Sequence, residues 1–337
     1  MGDSTNESAQ AQPVEEMSLS TKIVGYLCMN ISKLLLIAVV LAMLIGCVRY
    51  PQTVGLFLLV PYYTYTLIIR RDEMKDGSHW HEFSKNFPLF PPMRRFLGLT
   101  IAAPPSELVE AEKKPNAQFM FAVFPHGTQA DFRILMDGML LDVFPNIAEK
   151  CRVLAATVLF RIPIVREFAL WTGCVDARRS VAESLLDSGR SVIVLPGGMA
   201  EQIRTTRGKE IVYMQKRKGF LKLSMRKGVP VVPVYVFGAS DYYNTSHALF
   251  GPRLWLMKNL GACITLDTGY MLSLTCPFPV KTTIVFGKPM YFNMKEVGSP
   301  TSDELDAAHT KFMTALASLF DEHKVRLGYG NRKLEII

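Results

Sequence analysis

Apolar and polar residues are sharply segregated along this chain. Residues 1 to 22 are polar, rich in Ser, Glu, Gln and Asn, and lack the cationic start and short apolar centre of a secretory signal, so they are expected to form a disordered tail. From Ile31 to Val48 the run ISKLLLIAVVLAMLIGCV carries one charge, Lys33. Its length approaches the roughly 20 residues that a helix needs to cross a bilayer. After Arg49-Tyr50-Pro51-Gln52 a second run, Thr53 to Ile69, holds Pro61 and the aromatic cluster Tyr62, Tyr63 and Tyr65, which suits the headgroup layer. So short a connection predicts a two-segment membrane hairpin over residues 31–69, spanning or re-entrant, with both flanks on one side. Lys22 and Lys33 before it, and Arg70, Arg71 and Lys75 after it, place that side in the cytosol. Two buried core helices of a soluble protein would show the same lengths.

Residues 70–115 alternate charges with the Pro-rich patches FPLFPP and APP and are expected to be a linker. Beyond them the period changes. Dense β-branched and aromatic runs, QFMFAVF (118–124), SVIVLP (191–196), VPVVPVYVF (229–237) and TTIVFG (282–287), predict strands. Helical signals alternate with them. Ser180 and Glu183 have capping-box spacing for a helix ending near Gly189, a segment from Lys218 stops at Gly228, and Thr301 with Glu304 opens a long helix. In that last helix Leu305, Ala308, Phe312, Leu316, Leu319 and Phe320 share one face, which should cover a sheet. The alternation predicts an α/β domain over residues 116–337.

Charge changes the picture in one respect. A formal net charge of +8 with 49% apolar residues fits a protein seated on an anionic membrane surface. Nucleic acid is excluded as a partner because the Lys and Arg are scattered and no zinc-finger, basic-zipper or aromatic RNA-reading pattern occurs. Cys28, Cys47, Cys151, Cys174, Cys263 and Cys276 lie far apart, with no C-x-x-C pair or His at metal spacing, which implies a reducing compartment and no metal site. The N-x-S/T triplets at Asn6, Asn30 and Asn244 matter only in a lumenal segment.

Candidate chemistry begins at Phe124-Pro125-His126-Gly127, which ends the first strand run, with Asp131 five residues beyond His126. A histidine at the carboxyl end of a strand can take a proton from an alcohol if a carboxylate fixes its tautomer. It can equally be a loop histidine beside a glycine turn. Further on come Arg161-x-Pro163-x-x-Arg166, Trp171-Thr-Gly173-Cys-Val-Asp176, Pro196-Gly197-Gly198-Met-Ala-Glu201, Arg217-Lys218-Gly219-Phe220 and the Val229–Gly238 run. Arg161 and Arg166 can bind phosphates bidentately, touch a membrane, or simply be solvated helix ends. Gly197 and Gly198 can offer N–H groups to an oxyanion or form a tight turn. Glu201 can orient a hydroxyl or an arginine, or start a helix. Arg204, Arg207, Lys209, Lys216, Arg217 and Lys218 can attract phosphates of a ligand or anionic headgroups.

In this order, and from the paired apolar runs to the ending LFDEHKVRLGYGNRKLEII, the blocks resemble the type-2 diacylglycerol acyltransferase family, which includes monoacylglycerol and wax acyltransferases. The resemblance implies a glycerolipid-acyltransferase-like sheet with flanking helices after the membrane hairpin. It implies transfer of an acyl group from acyl-CoA, a substrate rather than a cofactor, to diacylglycerol, with monoacylglycerol or a long-chain alcohol as the alternative acceptor, at the bilayer of the endoplasmic reticulum, with lipid droplets as a second location. The family's essential histidine falls on His126, while Phe124 stands where the family has a first histidine. Its arginine-proline-arginine block falls on Arg161, Pro163 and Arg166, and its glycine-glycine-glutamate block on Gly197, Gly198 and Glu201. The expected site is therefore His126 as general base, oriented by Asp131 or Glu201, with Gly127, Gly197 and Gly198 at an oxyanion or turn, and Arg161, Arg166, Arg217 and Lys218 on acyl-CoA or headgroups. His126 and Asp131 also match the spacing of glycerol-phosphate acyltransferases. A later block rich in glycine in many relatives is here Leu266-Asp-Thr-Gly-Tyr270, and transfers nothing. A lipase would need G-x-S-x-G, which is absent from the sequence, and Leu195–Glu201 is no P-loop. A lipid-droplet coat protein would need only the hairpin and the basic surface.

Overall fold

The computed structural model describes residues 17–261, 263–294 and 298–337. Asn6 and most of the expected polar tail lie outside them. Within them the first helix begins earlier than the apolar run, covering Leu19–Arg49, because Ser18 caps it by accepting from the Thr21 N–H at 3.2 Å. Residues 19–22 are thus helix rather than tail. A second apolar helix follows over Pro51–Ile69, and both are long and apolar enough to cross a membrane.

Eleven strands occur among the described residues: β1 (Thr100–Ile101), β2 (Met120–Phe124), β3 (Arg152–Ala155), β4 (Cys174–Asp176), β5 (Val192–Val194), β6 (Glu210–Val212), β7 (Val231–Phe237), β8 (Asn244–Thr245), β9 (Asp267–Thr268), β10 (Thr283–Phe286) and β11 (Leu334–Ile336). Seven form one sheet in the order β1-β10-β7-β2-β5-β3-β4, parallel throughout except for β7 with β10. Its centre is buried on both faces, which explains why β2 and β7 read as continuous apolar runs. Alternation splits β2 between two cores. Phe121 and Val123 join Phe132, Phe144 and Phe286 on one face, whereas Met120, Ala122 and Phe124 join Tyr235, Phe312 and Phe320 on the other. The helix Ser302–Lys324 covers the second face with Ala308, Phe312, Leu316, Leu319 and Phe320, and its Thr301–Glu304 capping box is formed. The helix Gly219–Lys227 ends at left-handed Gly228, as its sequence predicts.

Three expectations are corrected. The helix Arg179–Asp187 starts one residue before the expected cap, so Ser180 caps nothing, and Glu183 instead pairs with Arg179 and Arg226. The stretch expected as a linker carries several short helices and β1. It buries Phe90, Phe96, Leu97 and Leu108 in the first core, beside Phe132, Leu135, Met136 and Leu140 of the helix Asp131–Val143. Strands β3 and β4 add to the four expected runs, since short strands such as RVLA and CVD have no flanking alternation to announce them.

Candidate active site

β2 and β5 are parallel neighbours, with Ala122 opposite Val194, so the chain segments leaving their carboxyl ends emerge side by side. This is the edge at which open α/β sheets build their sites. It brings His126 to Glu201 across 75 residues of sequence. The buried Glu201 carboxylate accepts the His126 backbone N–H with Oε1 and the Tyr213 N–H with Oε2, the latter at 2.8 Å. Burial pushes its pKa up to about 7, while those two N–H donors and the Arg217 charge pull it back. Glu201 therefore shapes the loop backbone rather than touching the imidazole.

The half-buried His126 ring is oriented by its own loop. Nδ1 lies 3.0 Å from the Gly127 carbonyl oxygen. A carbonyl can only accept, so Nδ1 holds the proton and Nε2 is the basic nitrogen. Burial lowers the pKa of the ring below the ordinary histidine value, against the opposing pull of its backbone hydrogen bonds, so the ring is neutral near pH 7.

The three glycines have different reasons to be glycine. A Cβ on Gly197 would fall 2.2 Å from Glu201 Oε2, so this position makes room for the carboxylate. Gly198 faces open space but takes φ +50°, and its N–H is spent on the Leu195 carbonyl at 3.1 Å, which removes it as an oxyanion donor. Gly127 takes φ +67°, and a Cβ there would stand 2.9 Å from the Ala239 carbonyl oxygen. Its N–H meets no acceptor among the described residues.

Asp131 is corrected as the orienting carboxylate. It opens the helix Asp131–Val143, and its oxygens are taken by the Lys33 ammonium and, at 2.9 Å, by the Tyr243 hydroxyl. Lys33 also donates to Gln129 Oε1 at 2.9 Å and to the Tyr243 oxygen at 3.0 Å. A lone charge inside an apolar run was the signal for this contact. Nearby, Asn30 Oδ1 accepts from Ser273 and Thr275, each at 2.6 Å, so the first apolar helix is anchored beside the His126 loop before it runs free.

The predicted cations divide. Arg161 is exposed, and its carbonyl accepts from the Tyr63 hydroxyl at 2.9 Å. Arg166 is buried between Glu73 and Glu167, at 2.8 and 2.9 Å, so it is a structural ion pair and not an open phosphate site. Glu167 in turn accepts from the Tyr62 hydroxyl at 3.0 Å, which ties the second apolar helix to the domain. Lys218 pairs with Asp306 on the surface. Arg217 stays near Glu201, with its guanidinium 5.1 Å from the centroid of the Tyr213 ring. Among the described residues no group of three or more His, Cys, Asp or Glu could hold a metal ion.

Comparison with known proteins converges with this arrangement. The family model described as "Diacylglycerol acyltransferase" matches residues 52–336. Diacylglycerol O-acyltransferase 2 of Danio rerio is 31% identical over 66% of this chain and 65% of its own. Diacylglycerol O-acyltransferase 2 of Homo sapiens is 33% identical over 55% of this chain and 50% of its own. The 2-acylglycerol O-acyltransferase 3 of Homo sapiens is 28% identical over 79% of this chain and 80% of its own. The match thus spans half to about two thirds of the first two relatives, and the family match holds both the His126 and the Glu201 loops. This chain belongs to the diacylglycerol acyltransferase family.

Proposed function

We propose that this protein is an acyl-CoA-dependent O-acyltransferase that makes triacylglycerol from diacylglycerol at the cytosolic face of the endoplasmic reticulum. The observation that carries the reading is the neutral His126, its Nε2 unprotonated, at the sheet edge beside which an apolar helix leaves the domain. A glycerolipid hydroxyl reaches such a site from the membrane without entering water. His126 Nε2 accepts the hydroxyl proton as the oxygen attacks the thioester carbonyl, and the Gly127 N–H faces the developing oxyanion. CoA leaves as the thiol after taking that proton. Arg161, exposed beside the second apolar helix, meets acyl-CoA phosphates or lipid headgroups.

Direct attack requires no acyl-enzyme. Cys151 and Cys174 are buried, and burial raises both thiols, Cys151 to about 12, so neither offers a thiolate at neutral pH. The test is transfer of labelled acyl from acyl-CoA to diacylglycerol in membranes of cells lacking triacylglycerol synthesis. Labelled triacylglycerol is expected, and transfer to no neutral glycerolipid would overturn the assignment. Monoacylglycerol is the second acceptor to assay, because a relative named 2-acylglycerol O-acyltransferase 3 aligns over 80% of its length.

A further inference from the structure

Beside Glu201 stand two arginines that no carboxylate pairs. Arg204 and Arg217 both lie against the Tyr213 ring, 4.9 and 5.1 Å from its centroid, so one side chain positions both guanidinium groups. Arg204 donates one hydrogen bond, to the Ala200 carbonyl at 2.6 Å, and also lies 5.7 Å from the Phe250 ring. Arg217 has its Nε buried without any hydrogen-bond partner. No carboxylate ion pair reaches either guanidinium among the described residues, whereas Arg226 holds one and Arg166 and Arg332 hold two each. Both are half-buried, so water screens each charge less than it would on an open surface. Two guanidinium groups held by one aromatic ring, with donors unspent, can receive an oxyanion. The exposed Lys216, adjacent to Arg217 in the chain, adds positive charge beside it.

We propose that Arg204 and Arg217, held by Tyr213, form a phosphate-binding subsite that takes a phosphate of the acyl donor. The inference rests on the acyl-CoA reading above. It places the donor's charged end on the Glu201 side of the His126 loop, whereas Lys33 of the first apolar helix holds Asp131. A phospholipid headgroup offers the same anion chemistry, so the test must separate the two sources.

The experiment uses the full chain in vesicles and compares acyl-CoA, acyl-dephospho-CoA and S-acyl-pantetheine as donors for wild type, Arg204→Gln, Arg217→Gln and Arg217→Lys. Each Gln change should raise KM for acyl-CoA about tenfold with kcat nearly unchanged, and leave S-acyl-pantetheine kinetics alone, since that donor has no phosphate. Arg217→Lys, which keeps the charge and loses the fork, should fall between and serves where a Gln variant does not accumulate. Acyl-dephospho-CoA shows whether the 3′-phosphate or the pyrophosphate is held. Unchanged acyl-CoA KM, or an equal loss with S-acyl-pantetheine, would overturn the proposal. So would a loss that follows the phosphatidylserine content of the vesicles rather than the donor, because it would assign the site to headgroups. If wild type transfers no acyl group at all, the functional reading has failed instead. Binding of CoA by equilibrium dialysis then still decides this site, with weaker binding expected in both Gln variants and equal binding refuting it.

Discussion

Two residues of the site must both be deprotonated for activity, at different pH. Replacing His126 by Ala removes the basic nitrogen, and loss of general-base assistance should lower kcat by about 10²–10⁴-fold with protein level and membrane insertion unchanged. Full activity in that variant would refute the mechanism. Glu201 acts on the backbone, and only its ionised form offers both oxygens to the N–H groups of His126 and Tyr213. With its pKa near 7, and that of His126 below the ordinary value, the acid limb of the pH–rate curve should fall near 7 and belong to Glu201. In Glu201→Gln any remaining activity should show an acid limb moved below 6.5, the histidine's own. Stability runs the other way. A carboxyl raised from 4.5 to about 7 on folding contributes fully below 4.5, and its contribution is lost as pH rises through 7, about 3 kcal/mol in all. Chemical denaturation of wild type and Glu201→Gln between pH 4.5 and 8 checks this, with a flatter dependence expected in the variant. Gly197→Ala should resemble the loss of Glu201, because the added methyl occupies the carboxylate's place, and native kinetics in that variant would contradict the packing.

At the scale of elements, the first apolar helix does more than insert. Lys33 holds both Gln129 and Asp131, and between them Ala130 is forced into the left-handed region at φ 50°, ψ 39°. That conformation costs a residue with a Cβ about 1–2 kcal/mol and needs support from its neighbours. Lys33→Met should let the turn relax and displace His126, four residues upstream, lowering kcat roughly 10–100-fold without changing KM for acyl-CoA. Adding Ala130→Gly, which takes positive φ freely, should restore part of the rate. A double variant no faster than Lys33→Met would mean that Lys33 supports only folding or insertion. The sequence made some of this legible and hid the rest for physical reasons. The four long strand runs, the capped helix from Ser302 and the His126 and Glu201 loops carry local signals, in β-branched density, cap residues and paired glycines. Lys33 with Asp131 and Glu167 with Tyr62 are contacts between distant segments, and nothing in local spacing encodes them. The spacing of His126 and Asp131 even pointed the wrong way, since the turn at Ala130 directs the carboxylate to Lys33.

The whole molecule is arranged about the point where the apolar helices leave the domain. The first helix buries Gly25, Cys28, Met29 and Asn30 against it, and a Cβ on Gly25 would fall 2.4 Å from Phe96 Cβ. From Leu34 to Arg49 it projects as an apolar rod about 24 Å long, and the 19-residue second helix adds about 28 Å, each near the roughly 30 Å hydrocarbon core. Beside the exit, Leu272 and Leu274 are exposed at 83% and 67%, next to the Ser273 and Thr275 that hold Asn30. Apolar surface of this kind is stable only against lipid or another partner, so the domain should rest on the bilayer with the His126 loop at the headgroup level. The single-residue break at Tyr50 between the helices, and the ties of Tyr62 to Glu167 and of Lys33 to Asp131, hold both helix bases to one domain. We therefore expect both chain ends on the same side of the membrane, and the proposal that this side is cytosolic rests on Arg70 and Arg71. With accessible cysteine tags at residue 5 and after Ile337 in sealed microsomes, an impermeant thiol reagent should label both tags before permeabilisation. Labelling of one tag only would show that a single helix crosses and refute the hairpin, and labelling of neither would refute the cytosolic side.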